Sequence, residues 1–180
     1  MQRVLVAGTS GSGKTTVARR VADVLGLEHT EIDALFHGPG WTPRPTFSDE
    51  VEQLAARPGW VTEWQYDVVR PLLAARADTL VWLHLPRCTV MRRLLWRTVS
   101  RRLRRDVLWN GNTEPPLRSF FTDPDHVVRW GWRTHDGNAA KVSQAVHDHP
   151  HLQVVELRSP RDVEAWLARL SDGRETARDR

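Results

Sequence analysis

A chain of 180 residues, 40% of them hydrophobic, is one domain's worth and can bury a real core. No apolar run approaches the roughly 20 residues of a membrane helix, and the single cysteine, Cys88, excludes an internal disulfide or a cysteine–zinc cluster. The net charge of +4 rests on arginine, since Lys14 and Lys141 are the only lysines. That bias suits phosphate-bearing partners, although codon usage alone also produces it. The N-terminus enters the first strand directly, so no signal peptide is expected. A reducing cytoplasm is the expected compartment, and no membrane partner is expected.

Arg3–Ala7 reads as a buried strand. Gly8-Thr9-Ser10-Gly11-Ser12-Gly13-Lys14-Thr15 follows it, in the pattern G-x-x-x-x-G-K-T, and a helical segment from Thr16 to Leu25 comes next. Strand, glycine loop and helix in that order form a phosphate loop. Its glycines let several N–H groups surround one anion, and the helix start adds partial positive charge. Lys14 can reach the β- and γ-phosphates, and the Thr15 hydroxyl can hold Mg²⁺. The residues from Gly8 through Thr16 are therefore the expected triphosphate site, with ATP and Mg²⁺ as the expected cofactors.

A short strand, about Glu28–Ile32, ends at Asp33, before the Gly- and Pro-rich loop His37–Pro45. A helix is expected from Ser48. Trp60–Thr62 reads as the third strand, closing at Glu63, and Tyr66–Arg76 as a helix. Thr79–Leu85 is nearly all apolar, as a buried parallel strand should be. A long helix spans about Cys88–Arg105, and Asp106–Pro124 reads as irregular. Helices over about Asp125–Arg133 and Ala139–His147 lead to the strand Leu152–Leu157. Pro160 opens a last helix to Leu170. Strands alternating with helices imply a parallel sheet covered on both faces. Residues 1–170 read as a single domain and 171–180 as a flexible tail.

In such a sheet ligands bind at the carboxyl ends of the strands. Asp33 and Glu63 stand there. Either can hold Mg²⁺ with Thr15, and Asp33 can also orient or deprotonate an acceptor hydroxyl. A solvated or capping carboxylate is the plain alternative for each. The fourth strand carries no carboxylate, unlike a motor ATPase, and no Asn-Lys-x-Asp occurs, unlike a guanine-reading GTPase. Between 87 and 105 stand eight arginines and no acid. Arg93, Arg97, Arg101 and Arg104/Arg105 share one helix face. Arginines over a phosphate loop stabilise a transferring phosphoryl group, which makes Lys14 and Arg97 catalytic candidates and Arg101 a triphosphate contact. A solvated basic face and a polyanion-binding patch remain open. Of the nine tryptophans, Trp41, Trp64 and Trp109 can stack on a flat ring, and the others read as core or loop anchors. The run His147-Asp148-His149-Pro150-His151 reads as a solvated turn.

Gly8–Thr15, Glu31-Ile32-Asp33, the strand Leu80–Leu85 with Pro86, and Val90-Met91-Arg92-Arg93-Leu94 with Arg97 together resemble the adenylate-kinase-like group of small P-loop kinases. Leu35-Phe36-His37-Gly38-Pro39-Gly40-Trp41 is most similar to proteins labelled DNA topology modulation proteins, a label that describes a phenotype. The resemblance implies a three-layer α/β P-loop fold, with a five-stranded parallel sheet of order 2-3-1-4-5 and an Arg-rich helical lid over about 97–124. It further implies that Arg133 contacts phosphate as a catalytic group and that Ser159 and Arg161 border the adenine. Glu63-Trp64-Gln65-Tyr66 departs from the group's Asp-Gly-x-Tyr, and a tryptophan in place of glycine narrows the acceptor space. The expected activity is ATP-dependent phosphotransfer to a small-molecule acceptor, nucleotide-like or hydroxylic. The alternatives are a nucleic-acid-associated nucleotide-binding protein and a nucleotide-binding regulator without turnover. The sequence does not specify an oligomeric state.

Overall fold

The structure, a computed structural model, describes residues 1–104, 106–113, 115 and 127–178, without the side chains of Trp130 and 175–178. Of the expected lid, positions 105, 114 and 116–124 lie outside the described residues, as do positions 125–126 and the last two residues of the tail.

Five strands form one parallel sheet: β1 (Arg3–Ala7), β2 (His29–Thr30), β3 (Trp60–Glu63), β4 (Thr79–Leu83) and β5 (Gln153–Leu157). Their order is β2-β3-β1-β4-β5, as expected. Alternation along β1 sends side chains to both faces of the sheet. Val4 and Val6 join one core with Val17 and Val21 of α1 (Lys14–Leu25) and Val90, Met91 and Leu94 of α5 (Arg87–Arg104). Val128 of α6 (Val127–Thr134) and Trp166 of α8 (Pro160–Arg178) complete that layer. Leu5 and Ala7 join the opposite core with Ile32 of α2 (Ile32–Phe36), Val51 of α3 (Phe47–Ala56), Leu73 of α4 (Arg70–Arg76) and Val142 of α7 (Gly137–Asp148). With both faces covered, the central strands need apolar side chains on each side, and Val4, Leu5 and Val6 are fully buried. Among the described residues no helix is long and apolar enough to cross a membrane.

Three elements differ from expectation. β2 stops at Thr30, because the Ile32 N–H donates to the Glu63 carboxylate (3.0 Å) and the chain turns into α2. Tyr66 is left-handed (φ 64°), so it cannot begin a helix, and α4 starts at Arg70 with a proline in its first turn. The last helix continues past Leu170 to Arg178, and Arg174 donates to the Val24 carbonyl at the end of α1.

One carboxylate ties the amino end of the sheet together. Asp78 Oδ2 accepts the N–H groups of Gln2 and Arg3 (2.8 Å each), and Oδ1 accepts the Thr79 hydroxyl (2.8 Å). Partial burial disfavours the charge, but these donors outweigh it, and the Asp78 pKa lies below its usual 3.8. A depressed carboxyl pKa stabilises the fold above the unfolded value and ceases to do so as pH falls through the folded one. Asp78→Ala should cost about 1–2 kcal/mol at pH 7 after allowance for solvent screening. Urea titrations of both proteins check this: the gap between them should narrow by pH 3, and a gap that does not depend on pH would remove the charge from the explanation.

Candidate functional site

The loop after β1 leads directly into α1. Gly8, Gly11 and Gly13 have φ of 152°, 87° and 97°, which side chains rarely adopt. At Gly11 a Cβ would also lie 2.7 Å from Leu94 Cβ and 2.9 Å from the Val90 carbonyl oxygen, so α5 lies directly against the loop. The loop closes on itself through Ser12 N–H to Thr9 O (3.0 Å) and Val17 N–H to Gly13 O (3.0 Å). Asn138 Nδ2 of α7 donates to the Thr9 hydroxyl (2.9 Å) and braces it from outside. No side chain caps α1, and the Ser12 hydroxyl is buried with no hydrogen-bond partner among the described residues. An uncapped helix start beside an unmatched buried hydroxyl fits a bound phosphate.

Lys14 is 9% exposed, and its ammonium donates to Gly8 O (2.9 Å). Burial lowers its pKa to about 8, against the opposing pull of Asp33 and Glu63; Arg97 and Arg70 lower it further. Lys14, Asp33, Glu63, Arg97 and Arg70 therefore share one electrostatic neighbourhood. Glu63 ends β3 opposite Val6, just before the loop. Its two oxygens face His29 Nε2 (3.2 Å) and the Ile32 N–H (3.0 Å), and the nearby Thr15 hydroxyl also favours its charged form. Burial raises the Glu63 pKa, but these partners outweigh it and keep the carboxyl below its usual range. Asp33 lies in the first turn of α2, where Oδ1 accepts the Tyr66 hydroxyl (2.7 Å) and the Gln65 amide. Burial raises the Asp33 pKa, opposed by the Tyr66 bond and by Lys14. Thr15, Glu63 and Asp33 offer only oxygen donors, the set that a hard cation such as Mg²⁺ takes.

The arginine row of α5 runs beside the same residues. Arg93 Nη1 donates to Ser12 O (3.4 Å), Arg97 acts on Lys14, and the Arg101 guanidinium sits 6.0 Å from the centre of the Trp109 ring. Thr16 is exposed in the first turn of α1, and Ser10 is half-buried in the loop. Arg133 is exposed in the last turn of α6, the helix whose Gly131 packs on Leu94 and Met91. Ser159 and Arg161 stand apart, two strands along the same sheet edge. Ser159 caps α8: its hydroxyl accepts the Asp162 N–H (3.1 Å) and its own N–H donates to Asp162 (2.8 Å). Arg161 is exposed beside it. Among the described residues, no group of three or more histidine, cysteine or acidic residues could hold a metal, and the histidines at 147–151 form no such group.

Two side chains carry more than the sequence suggests. Trp64 does not line a stacking surface. It is 5% exposed, donates from Nε1 to the Arg70 carbonyl (3.1 Å), and carries the Arg70 guanidinium 5.2 Å above its ring. Arg70 is thereby raised into the neighbourhood of Lys14. It pairs with Asp67, and its Nε is buried with no hydrogen-bond partner among the described residues. Its sequence context is an ordinary amphipathic helix start, and only the left-handed Tyr66 turn explains where it goes.

No protein-family model matches the chain. A segment of 51 residues is 43% identical to cytidylate kinases of two strains of Nitratidesulfovibrio vulgaris, DP4 and Hildenborough. It covers 28% of this chain and 22% of those kinases, so the match spans under a quarter of the relatives' length. Among solved structures, the chain is similar to a gluconokinase from Sinorhizobium meliloti 1021, with a TM-score of 0.52, 20% identity, and 98% of this chain and 97% of that one covered. It is likewise similar to a shikimate kinase from Bacteroides thetaiotaomicron, with a TM-score of 0.54, 17% identity, and coverage of 97% and 98%. A shikimate kinase from Acinetobacter baumannii in complex with shikimate gives 0.50, 18% identity, and coverage of 94% and 90%. What this chain shares with these three solved structures, over nearly its whole length, is the α/β fold of small P-loop kinases.

Proposed function

We propose that the protein is an ATP-dependent kinase acting on a small molecule that carries both a hydroxyl and an anionic group. The observation that carries this reading is that Lys14, in the phosphate loop, stands within the charge influence of Asp33, Glu63 and Arg97. The Gly8–Thr15 loop holds the triphosphate through its N–H groups, with Lys14 on the β- and γ-phosphates. Thr15 and Glu63 would hold Mg²⁺, with both Glu63 oxygens already fixed by protein partners. When bound, that cation neutralises charge on the β- and γ-oxygens. Asp33 faces the acceptor, whose hydroxyl oxygen bonds to the γ-phosphorus as the bond to the β–γ bridging oxygen breaks. ADP leaves, and the hydroxyl proton passes to Asp33. Arg93 and Arg97 offset charge on the moving phosphoryl group.

Arg70 supports the anionic acceptor: a guanidinium held on Trp64 with an unmatched buried Nε suits a carboxylate or phosphate. The short likeness to cytidylate kinases leans toward a nucleotide acceptor, and the fold alone is equally suited to a hydroxy acid or a sugar acid. The inward lean of Arg93 and Arg97 favours phosphotransfer over nucleic-acid binding, which needs that row to face outward.

The test is a phosphotransfer screen, with labelled ATP, against separate pools of nucleoside monophosphates, hydroxy acids, sugar acids and neutral sugars. Transfer confined to anionic pools supports the reading. Transfer to neutral sugars alone removes Arg70's role, and ATP binding without transfer to any pool ends the kinase assignment. Within an active pool, Arg97→Ala should lower kcat by roughly 10- to 10³-fold while ATP affinity changes little. An unchanged kcat takes Arg97 out of the site.

A further inference from the structure

Two turns of the same design lie side by side at the acceptor end of the cleft. The first runs from His37 to Pro43, which are bridged antiparallel; Gly38 N–H donates to Thr42 O (2.7 Å), and Gly40 and Trp41 have φ of 66° and 62°. The second runs from Val107 to Thr113, bridged in the same way. There Leu108 N–H donates to Asn112 O (2.7 Å), and Asn110 and Gly111 have φ of 54° and 79°. Position for position the two coincide. Two consecutive left-handed residues make a tight hairpin turn, for which Asn-Gly is a favoured pair. Gly-Trp is a poor one, because a tryptophan there is held against its own preference.

The second turn holds it. Trp41 N–H donates to Asn112 Oδ1 (3.1 Å), and the Trp41 indole N–H donates to Thr113 O (3.2 Å). Asn112 Nδ2 donates to Gly38 O and to Trp109 O (2.9 Å each), and Asn110 Nδ2 donates to His37 O. Asn112 is only 5% exposed. Trp109, in the same turn, stacks on His37 (centroids 6.0 Å apart, planes at 25°) and donates from Nε1 to Glu31 Oε2 (2.8 Å). The first turn follows α2, which carries Asp33. The second follows α5, which carries Arg93, Arg97 and Arg101.

We propose that Asn112 is a positioning residue: it fastens the turn after the arginine helix to the turn after Asp33, so that the phosphate-facing arginines and the acceptor-facing carboxylate adopt one arrangement together. Its chemistry fits the task. One amide end meets an N–H and the other meets two carbonyl oxygens, which asparagine satisfies at once. Aspartate would set a charge against both carbonyls, and leucine would fill the space and bond to neither. The catalytic consequence rests on the kinase reading; the clasp itself rests on geometry alone.

Amide hydrogen exchange on the full chain, free and with a non-hydrolysable ATP analogue and Mg²⁺, tests the clasp without turnover. In the wild type the Trp41 amide, whose partner is the Asn112 side chain, should be protected. In Asn112→Asp and Asn112→Leu, exchange should accelerate about tenfold in 37–44 and 106–113 together, with β1 and β3 unchanged. Trp41→Phe removes only the indole bond and should give a smaller change in the same two segments. An unprotected Trp41 amide in the wild type, or acceleration confined to 106–113, overturns the clasp. In the phosphotransfer assay, the Asn112 variants should lose about tenfold or more in kcat while affinity for the analogue moves less than about twofold. An equal loss of both, or an unchanged kcat, overturns the positioning role. A wild type that phosphorylates no pool defeats the kinase reading and leaves exchange to decide the clasp.

Discussion

Lys14→Ala should abolish phosphotransfer, with a loss of about 10³-fold or more, while the fold survives. Magnitudes of that order follow when one preorganised charge is removed from a water-poor phosphoryl-transfer site. The side chain is buried, yet among the described residues its hydrogen bond is to the Gly8 carbonyl alone (2.9 Å), and its pKa is lowered to about 8. An ammonium held at that cost in desolvation, beside a loop of left-handed glycines, is what the proposed contact with an arriving phosphate requires. Lys14→Arg should not restore activity, because a planar fork cannot replace a compact point charge in a loop closed this tightly. Radiolabel transfer alongside thermal unfolding separates the two outcomes. Retention of more than a tenth of wild-type turnover, with the melting temperature unchanged, would remove Lys14 from the mechanism.

What the sequence makes legible is what depends on neighbours along the chain. The glycine spacing of 8–15 dictates the loop, the apolar runs of β1 and β4 dictate buried parallel strands, and Glu63 closes β3 as expected, whereas Asp33, expected at the end of β2, lies in the first turn of α2. The i, i+4 row of Arg93, Arg97 and Arg101 is legible in the same way, and its lean toward the cleft follows from Leu94 packing on Gly11. Contacts between distant segments are not legible. Arg70 depends on a left-handed Tyr66 that shortens the expected helix, and on Trp64, which turns out to be a buried prop. The Asn110-Gly111 pair is a strong hairpin signal in its own right. It is hard to use because its flanks lack strand alternation and its partner turn lies before α3. The last helix is longer than expected because Arg174 finds an acceptor at the end of α1, a contact with no trace in local composition.

Asp33→Asn should lower kcat by about 10²- to 10⁴-fold, the usual worth of a positioned proton acceptor, with ATP affinity nearly unchanged. The substitution is close to isosteric. An amide oxygen can still accept the Tyr66 hydroxyl that now donates to Oδ1 at 2.7 Å, so the turn that carries Tyr66 and Gln65 stays in place. What disappears is a buried carboxylate, whose pKa burial raises toward the range where a base works well. The comparison that assigns the two acids is Glu63→Gln. Glu63 bonds to His29 and the Ile32 N–H and lies near the Thr15 hydroxyl, whereas Asp33 bonds to Tyr66 and Gln65. Glu63→Gln should therefore raise the Mg²⁺ concentration needed for half-maximal turnover, and Asp33→Asn should leave it within about twofold while kcat falls. A matched rise in Mg²⁺ requirement for both variants would make the two carboxylates a single cation site and leave the acceptor without a base. A kcat within threefold of wild type for Asp33→Asn would leave proton transfer to the phosphoryl group itself, since the loose transition state of phosphoryl transfer makes little demand for early deprotonation.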